Sequence, residues 1–370
     1  MEKKLKSSKM KKIIIVVGIL FTLIVVLLLS SYFIVHSYIN KMNLVKTQPD
    51  TVSAFSEVEE VLEIEPEPED DFKIPDSPKE DIATVEEKIQ ENVKENITPI
   101  IDNKDVFNIL LIGSDTRESD DRGRSDAMII ISLNDKSKTI TAISIMRDIY
   151  LQIPGRKDNR INASYQFGGA DLLIETMKQN FKIKIDRYAI VDFNAFKDVV
   201  NAVGGVTLSL TVKEISFIEG NMKQIDSTNG QINIIKDRNK IQSGTYFLDG
   251  AQALDYACIR HTGNSDFDRT GRQRKILEQI FMNVKDLGLS KLNQLLKVIL
   301  PQVTTNLTEG EIISLILSLP KLSSYDLMQC RIPIDGSYKP LIIRGMEVLG
   351  IDFEENIDEL NKVIYGEIEE

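Results

Sequence analysis

Three short apolar segments constrain the fold of this chain more than any other feature of its sequence. All three are rich in isoleucine and leucine, and they lie at Ile109–Ile112, Ala127–Leu133 and Ile140–Met146. Short apolar runs bounded by turn-forming residues are typical of strands that are buried on both faces. Farther along, a helical pattern at 193–203 is followed by a strand pattern at 206–210. This alternation predicts an α/β fold in which helices are layered on a sheet.

Charged residues stand at the ends of these three segments. Asp115 follows the first segment, and Arg124 and Asp126 precede the second. Arg147 and Asp148 end the third. In open α/β sheets, ligands bind just beyond the ends of strands, where carboxylates can hold a hard cation and arginines can grip phosphate oxygens in pairs. The set therefore predicts a site for a metal ion and a phosphate, and the alternative is a rim of solvated charges.

A second basic group begins the helix predicted at 269–287. Arg269, Arg272 and Gln273 are spaced i, i+3 and i+4, so they share one face of its first turn. The N-terminus of a helix already favours an anion, and arginines there indicate phosphate. A solvated basic face is the alternative interpretation. The preceding helix is predicted to begin at Asp249, which can cap it through Gln252.

Composition excludes several classes of function. The net charge of −11 argues against general nucleic-acid binding. The sequence contains two cysteines, Cys258 and Cys330, so it predicts neither a disulfide framework nor a zinc cluster, and whether the two pair is open. The two histidines are His36 and His261, and a Ser-His-Asp triad would depend on His261 alone.

The N-terminal third of the sequence indicates a membrane anchor and a spacer. Residues 1–12 form a lysine-rich tail, and 13–35 are apolar and uncharged, which is long enough to cross a bilayer of about 30 Å. Because the lysines should stay in the cytoplasm, we expect a single-pass protein of the cell membrane whose remaining chain is extracellular. The acidic, proline-containing segment 36–104 predicts a flexible stalk, with a local helix possible at 85–95. The folded domain is predicted to occupy 105–370.

Seven motifs in order give the chain a specific resemblance. They are FNILLIGSDTR, GRSDAMIIISLN, ISIMRDIYLQIPG, RINASYQFGGA, VDFNAFKDVVNAVGGV, LDGAQALDYACIRH and DFDRTGRQRKIL. Together they resemble the LytR–CpsA–Psr family of Gram-positive cell-wall ligases, over roughly residues 105–285. The basic tail, single anchor and external domain are also similar to this family.

The resemblance implies a fold and a reaction. The fold would be an α-β-α sandwich with a central mixed sheet and a deep apolar pocket for a polyprenyl tail. The reaction would be a phosphotransfer that moves a polyprenyl-pyrophosphate-linked glycopolymer, of teichoic-acid or capsule type, onto a muramic-acid hydroxyl of peptidoglycan. Mg²⁺ would bridge the pyrophosphate. The donor, the peptidoglycan acceptor and the cytoplasmic membrane would be its partners, and nucleic acid would not.

The same resemblance assigns roles to individual residues. Asp115 and Asp126 match metal ligands, and Asp115 would also accept the proton of the sugar hydroxyl. Five arginines and one glutamine match pyrophosphate ligands, and these are Arg124, Arg147, Arg160, Arg260, Arg269 and Gln273. Arg160 stands where many members have lysine. Arg147, as a catalytic residue, would hold the leaving polyprenyl phosphate.

One departure from the family pattern keeps other functions open. The family usually has Arg-x-Arg where this chain has Cys258 and Arg260, so one phosphate contact is missing. A contact of this kind contributes about 1.5–3 kcal/mol. Two alternatives follow: a polyprenyl-pyrophosphate hydrolase with water as acceptor, and a non-catalytic regulator that binds lipid or glycan.

Overall fold

The computed structural model describes residues 43–45, 76–94, 100–114, 125–226, 230–260, 265–285, 287 and 289–366. The predicted tail at 1–12, the predicted anchor at 13–35 and two predicted site residues, Asp115 and Arg124, lie outside these ranges. Within them, no helix is both long and apolar enough to cross a membrane.

The described residues form fifteen strands. These are β1 (Asn43–Leu44), β2 (Val106–Ser114), β3 (Ser125–Asn134), β4 (Thr139–Ile145), β5 (Tyr150–Leu151), β6 (Asn159–Arg160), β7 (Arg187–Val191), β8 (Val206–Leu210), β9 (Met222–Ile225), β10 (Ile232–Ile235), β11 (Gly244–Leu248), β12 (Thr304–Thr305), β13 (Asp326–Ile332), β14 (Tyr338–Ile343) and β15 (Met346–Ile351). The three apolar segments are β2, β3 and β4, as predicted.

Nine α-helices accompany the strands in the described part of the chain. They are α1 (Lys79–Lys94), α2 (Ile161–Phe181), α3 (Phe193–Ala202), α4 (Val212–Ile215), α5 (Gly250–Cys258), α6 (Ser265–Lys285), α7 (Leu289–Ile299), α8 (Glu309–Leu322) and α9 (Phe353–Tyr365). Short 3-10 helices lie at Arg238–Lys240 and Leu300–Gln302. Helix α5 begins with the predicted cap, since the Asp249 side chain accepts from the Gln252 amide and the Gln252 side chain faces back to Asp249.

The central sheet is mixed, with the strand order β1-β12-β7-β2-β3-β4-β13. Strands β2, β3 and β4 are antiparallel neighbours, whereas β7 and β13 flank them in parallel. In the β2–β3 register Ser114 faces Ser125, and in the β3–β4 register Ile129 faces Ser144. The end of β2, the start of β3 and the end of β4 therefore meet at one edge of the sheet. This pairing brings the predicted polar positions together.

Side chains alternate between two faces of this sheet, as the period of a strand requires. On one face, Leu110, Ile130 and Ile143 are fully buried and pack with α1, α2, α9 and the β14–β15 hairpin. On the other face, Ile140 packs against α8 and its following turn, with Phe281 of α6 alongside. Helices thus cover both faces, which agrees with the predicted sandwich.

A smaller antiparallel sheet of order β10-β9-β11-β8 lies beside the central one. It packs against α3, α5 and α6, and its core includes the fully buried Tyr246 and Tyr256. Helix α6 contributes Ile276 to this core and Phe281 to the core beside the central sheet. Helix α6 therefore packs against both sheets and lies above the central one.

Two sequence predictions about the fold are corrected by the structure. The flexible stalk predicted across 36–104 is wrong at α1, because Val85 and Ile89 are buried in the main core and the Asn92 side chain donates to the Asn180 carbonyl at 3.0 Å. Val85 packs directly over Gly350 of β15. Beyond residue 288 the sequence pattern predicts helices and one strand, at 329–333, and this is incomplete because β12, β14 and β15 accompany β13.

Candidate active site

Arg147 is the centre of an ion-pair cluster at the edge where β2, β3 and β4 meet. Its Nη1 lies 2.8 Å from Asp126 Oδ1, and its Nε lies 2.9 Å from Asp266 Oδ2. Nε is also 3.6 Å from Asp148 Oδ2. The Arg147 side chain is only 20% exposed, so these contacts form in a largely desolvated place.

Three further arginines complete the cluster. Arg160 Nη1 lies 3.6 Å from Asp148 Oδ1, and Arg269 Nη2 lies 3.2 Å from Asp266 Oδ2. Arg260 Nη2 reaches Asp126 Oδ2 at 3.8 Å from a half-exposed position. Among the described residues, four guanidinium groups therefore share three carboxylates. An excess of positive charge suits an anionic ligand.

Local structure explains why these residues converge. Asp126 begins β3, and Arg147 and Asp148 directly follow β4. The short β5–β6 ladder pairs Tyr150 with Arg160, which returns the chain to the same edge at the start of α2. Asp266 and Arg269 lie one turn apart at the start of α6, so both face the ends of the strands.

Asp148 and Asp266 form a coupled carboxyl pair. Burial, followed by the hydrogen bond with Asp266, raises the pKa of Asp148 to about 7. Burial acts in the same direction on Asp266, but the hydrogen bond from Asp148 and the charges of Arg269 and Arg147 outweigh it and lower its pKa. The pair is therefore suited to share one proton near neutral pH, with Asp148 as its carrier.

Arg269 has a buried hydrogen-bond donor for which the described residues provide no acceptor. Its side chain is only 4% exposed, and its Nε is buried without a hydrogen-bond partner in the described part of the protein. Burial, followed by the nearby charge of Arg147, lowers its pKa. A buried guanidinium with an unused donor is costly, and a phosphate oxygen is its natural acceptor.

Most of the predicted site residues are brought together. The structure places five of them in the cluster, and these are Asp126, Arg147, Arg160, Arg260 and Arg269. Gln273 lies one turn after Arg269 on α6 and is partly buried. Asp115 and Arg124, predicted for the metal and the pyrophosphate, fall outside the described residues.

Asp148 was noted at the end of the third apolar segment but was given no role, Asp266 was not predicted, and one neighbour was overvalued. Arg272, predicted to share a face with Arg269, is buried against the second core, where it lies over the Tyr256 ring and 3.9 Å from Glu214. Asp266 stands three residues before Arg269 in the first turn of α6, and this i, i+3 spacing was the signal available in the sequence.

The described residues offer one candidate ligand for the predicted Mg²⁺. No group of three or more Asp, Glu, His or Cys side chains among them is arranged so that it could hold a metal ion. Asp126 Oδ1 accepts from Arg147, but Oδ2 has only the distant contact with Arg260 at 3.8 Å. Mg²⁺ commonly takes one or two carboxylates together with phosphates of a substrate, so this carboxylate fits such an ion.

An apolar cavity of about 240 Å³ lies between the central sheet and α6. Six of its lining residues come from β2, β3, β4, β13 and α6, and these are Leu111, Ile131, Ala142, Leu277, Phe281 and Leu327. Toward the charged edge, Gly113 of β2 packs tightly on Ala127 of β3, where a side chain on residue 113 would meet the alanine at 3.0 Å. The same helix thus lines the cavity and, through its first turn, supplies the charged cluster.

Comparison with known proteins assigns this arrangement to a family. Residues 77–362 match the LytR_cpsA_psr family. The chain belongs to this family. Its matched region begins near the start of α1, which agrees with the burial of that helix in the core.

Relatives with related sequences carry the names of cell-wall transferases. The chain is 33% identical over 230 residues to a polyisoprenyl-teichoic acid–peptidoglycan teichoic acid transferase TagU of Bacillus licheniformis, covering 61% of this chain and 68% of the relative. It is 36% identical over 189 residues to the transferase TagT of Bacillus subtilis, covering 50% and 55% of the two chains. The matches thus span between about half and two thirds of these relatives.

A solved structure shares the fold. The structure described as TagT bound to LI-WTA superimposes with a TM-score of 0.55 at 27% identity, covering 73% of this chain and 93% of the other. The central mixed sheet with helices on both faces is therefore a fold of this family.

Cys258 is the residue that departs from the expected Arg-x-Arg pattern. It ends α5, two residues before Arg260, and it is exposed with a free thiol. Cys330 is also free, so the two described cysteines are not paired with each other.

Proposed function

We propose that this protein transfers a polyprenyl-pyrophosphate-linked glycopolymer of teichoic-acid type to a hydroxyl group of peptidoglycan. The names of its relatives support the class of donor and acceptor. The observation that carries the proposal is the position of the Arg147–Arg269 cluster, beside an apolar cavity lined by the same helix.

The cavity suits the lipid part of such a donor. Its walls are mostly aliphatic and aromatic side chains, and filling an apolar cavity with hydrocarbon is favourable by about 25 cal/mol per Å² of surface removed from water. A prenyl chain seated between the sheet and α6 would leave its head group toward the charged edge.

The cluster suits the pyrophosphate. Arg147, Arg269, Arg260 and Arg160 provide fixed donors, and the open Nε of Arg269 provides one that no described residue uses. In phosphoryl transfer, catalysis depends mainly on positioning and on stabilising charge that develops on oxygen. Arginines that already hold their places through ion pairs need little reorganisation for this task.

The reaction would proceed by attack of the acceptor hydroxyl on the phosphorus next to the glycan. The new P–O bond forms to the acceptor, the bond to the bridging oxygen breaks, and polyprenyl phosphate leaves toward Arg147 and Arg269. The hydroxyl proton needs an acceptor, for which Asp115 is the candidate from the sequence. Asp148 is a second one, because its raised pKa, about 7, matches a proton acceptor at neutral pH.

Mg²⁺ would be held by Asp126 and Asp115, and it would neutralise charge on the pyrophosphate. We further propose the topology expected from the sequence, with residues 13–35 as a single anchor, the lysine-rich tail in the cytoplasm and the folded domain outside the cell. A lipid-linked donor would then reach the cavity from the same membrane.

Transfer can be tested with a purified lipid-linked glycan donor and peptidoglycan. We expect covalent attachment of glycan by the native protein and a loss of at least about a hundredfold in Arg147→Ala and Asp126→Ala, since each removes a charged group from the site. Lys275→Gln, on an exposed position of α6, is the matched control.

The same assay separates the alternative functions. Release of free glycan phosphate at equal rates with and without peptidoglycan would identify a hydrolase. Binding of donor without turnover would identify a regulator. Unchanged transfer by both site variants would refute the assignment of this cluster.

A further inference from the structure

Arg274 of α6 has no counter-ion among the described residues. Its side chain lines the apolar cavity, and its Nε and Nη1 atoms are buried without a hydrogen-bond partner in the described part of the chain. It lies five residues after Arg269, on the face of α6 that also carries Leu277 and Phe281. Nine of the twelve lining residues are apolar, and the other two polar ones are Glu278 and Gln329.

The neighbours of Arg274 do not neutralise it. Glu278 stands four residues later, where an ion pair along the helix would be expected. Its Oε2 instead accepts a hydrogen bond from Gln329 Nε2 at 2.8 Å. The closest charge from the sheet is Arg331 of β13, and together with burial it lowers the pKa of Arg274.

Arg331, in contrast, is fully engaged. Its Nε donates to the Pro333 carbonyl at 3.1 Å, its Nη2 pairs with Asp335, and its guanidinium lies 4.4 Å from the centre of the Phe267 ring. The two arginines therefore differ sharply although they are neighbours. One is held by the protein, and the other is left with unused donors beside a cavity.

Leaving a buried cation unpaired is among the costliest arrangements in a protein, and an anion that binds there removes the cost. We propose that Arg274 binds the phosphoryl group that is attached directly to the polyprenyl chain of the lipid donor. The proposal rests on the proposed function and adds a residue and a specificity to it. Arg274 would select a lipid that ends in phosphate over an uncharged lipid of the same length.

Helix geometry places Arg274 on the cavity side of the charged cluster. Five residues of an α-helix rise about 7.5 Å and turn about 140° beyond one full turn, so Arg274 lies farther from the charged edge than Arg269 and on another face of α6. Arg274 would therefore reach the donor from the cavity, whereas Arg147 and Arg269 would reach it from the charged edge. The phosphate of the leaving polyprenyl phosphate would contact both.

The test compares farnesyl phosphate with farnesol as ligands of the full-length protein in detergent. The variants are Arg274→Met, which keeps the length and apolar character of the side chain, and Lys275→Met, an exposed neighbour, as control. Isothermal titration calorimetry gives the affinities, and thermal unfolding of the ligand-free proteins gives Tm.

We expect the native protein and Lys275→Met to prefer the phosphate over the alcohol. Arg274→Met should bind the phosphate at least about tenfold more weakly and the alcohol within about twofold of the native value. Its ligand-free Tm should rise, because the unpaired buried charge is gone. Weaker binding of both ligands together with a lower Tm would instead assign Arg274 a structural role and overturn the proposal.

The outcome distinguishes this inference from the proposed function. If the native protein shows no preference for the phosphate, then the proposed lipid-phosphate function fails as well. If the native preference exists and Arg274→Met retains it, only the role of Arg274 is refuted.

Discussion

Replacement of Asp148 by asparagine tests the carboxyl pair at the centre of the site. Asp148 has a pKa of about 7 because it is buried and shares a hydrogen bond with Asp266. An asparagine side chain has the same shape as the protonated carboxyl group and can donate to Asp266 in its place. The variant should therefore keep the geometry of the site and lose its titration.

The expected effect on stability follows from linkage. A carboxyl group whose pKa is raised in the folded protein binds more protons when folded than when unfolded, so the free energy of unfolding falls as pH rises from 3.8 towards about 7 and is constant above that. The shift corresponds to at most about 4 kcal/mol. Asp266, whose pKa is lowered, changes its own contribution to stability below about pH 4, so it offsets little of this loss, and we expect a fall of up to about 4 kcal/mol between pH 4 and pH 8.

Asp148→Asn should remove this dependence. Its free energy of unfolding should exceed that of the native protein at pH 8 and approach it near pH 4. Urea unfolding followed by far-ultraviolet circular dichroism is the suitable assay, because the sequence has no tryptophan. The slope of the free energy against urea should be unchanged, which shows that the folded state is as compact as before.

Asp171→Asn, at an exposed position of α2, controls for the loss of any carboxylate. The reasoning would be refuted by a native protein whose stability is equal at pH 4 and pH 8 while Asp148→Asn is less stable at both. That result would mean that Asp148 is ionised in the folded protein and stabilised chiefly by Arg147 and Arg160.

Three further predictions concern other parts of the molecule. Ile89→Ala, at a fully buried position of α1, should lower the free energy of unfolding by about 2–5 kcal/mol in urea, and an unchanged value would show that α1 is not part of the core. Leu277→Trp should fill the cavity and reduce transfer from a long-chain lipid donor at least about tenfold with little change in Tm. Cys258→Arg should strengthen binding of farnesyl pyrophosphate about tenfold in calorimetry, since it restores a cation near Asp126.

The parts of the fold that were predicted from sequence are those in which local pattern and tertiary role agree. Strands β2, β3 and β4 are nearly continuous apolar runs because both their faces are covered. The start of α5 was predictable because a capping box is a purely local interaction. The arginines of the site were predictable as candidates, since each stands at the end of such an element.

The parts that were missed depend on tertiary contacts that no local pattern records. Helix α1 buries few apolar side chains in a charged segment, so its composition resembles that of a spacer even though Ile89 is fully buried. The strands β14 and β15 form a separate two-stranded sheet, so their place in the fold depends on contacts that are distant in the sequence. Asp148 was recognised as a polar residue at the end of the third apolar segment, but its raised pKa depends on Asp266, which is 118 positions away in the sequence but adjacent in space.

The charge balance of the site explains why it can exist without a ligand and still bind one. Three carboxylates, those of Asp126, Asp148 and Asp266, hold Arg147 in place. The arginine side chain therefore loses little conformational entropy when a phosphate binds. If the carboxylates neutralised the arginines completely, no positive charge would remain for a phosphate to bind. The unused Nε of Arg269 shows that the neutralisation is incomplete among the described residues. The carboxylates therefore serve to fix the arginines, and the surplus of positive charge selects the anion. Removal of one carboxylate should loosen the site, whereas removal of one arginine should abolish the surplus of positive charge. The two kinds of variant should therefore differ more in their rates of glycan transfer than in their stability.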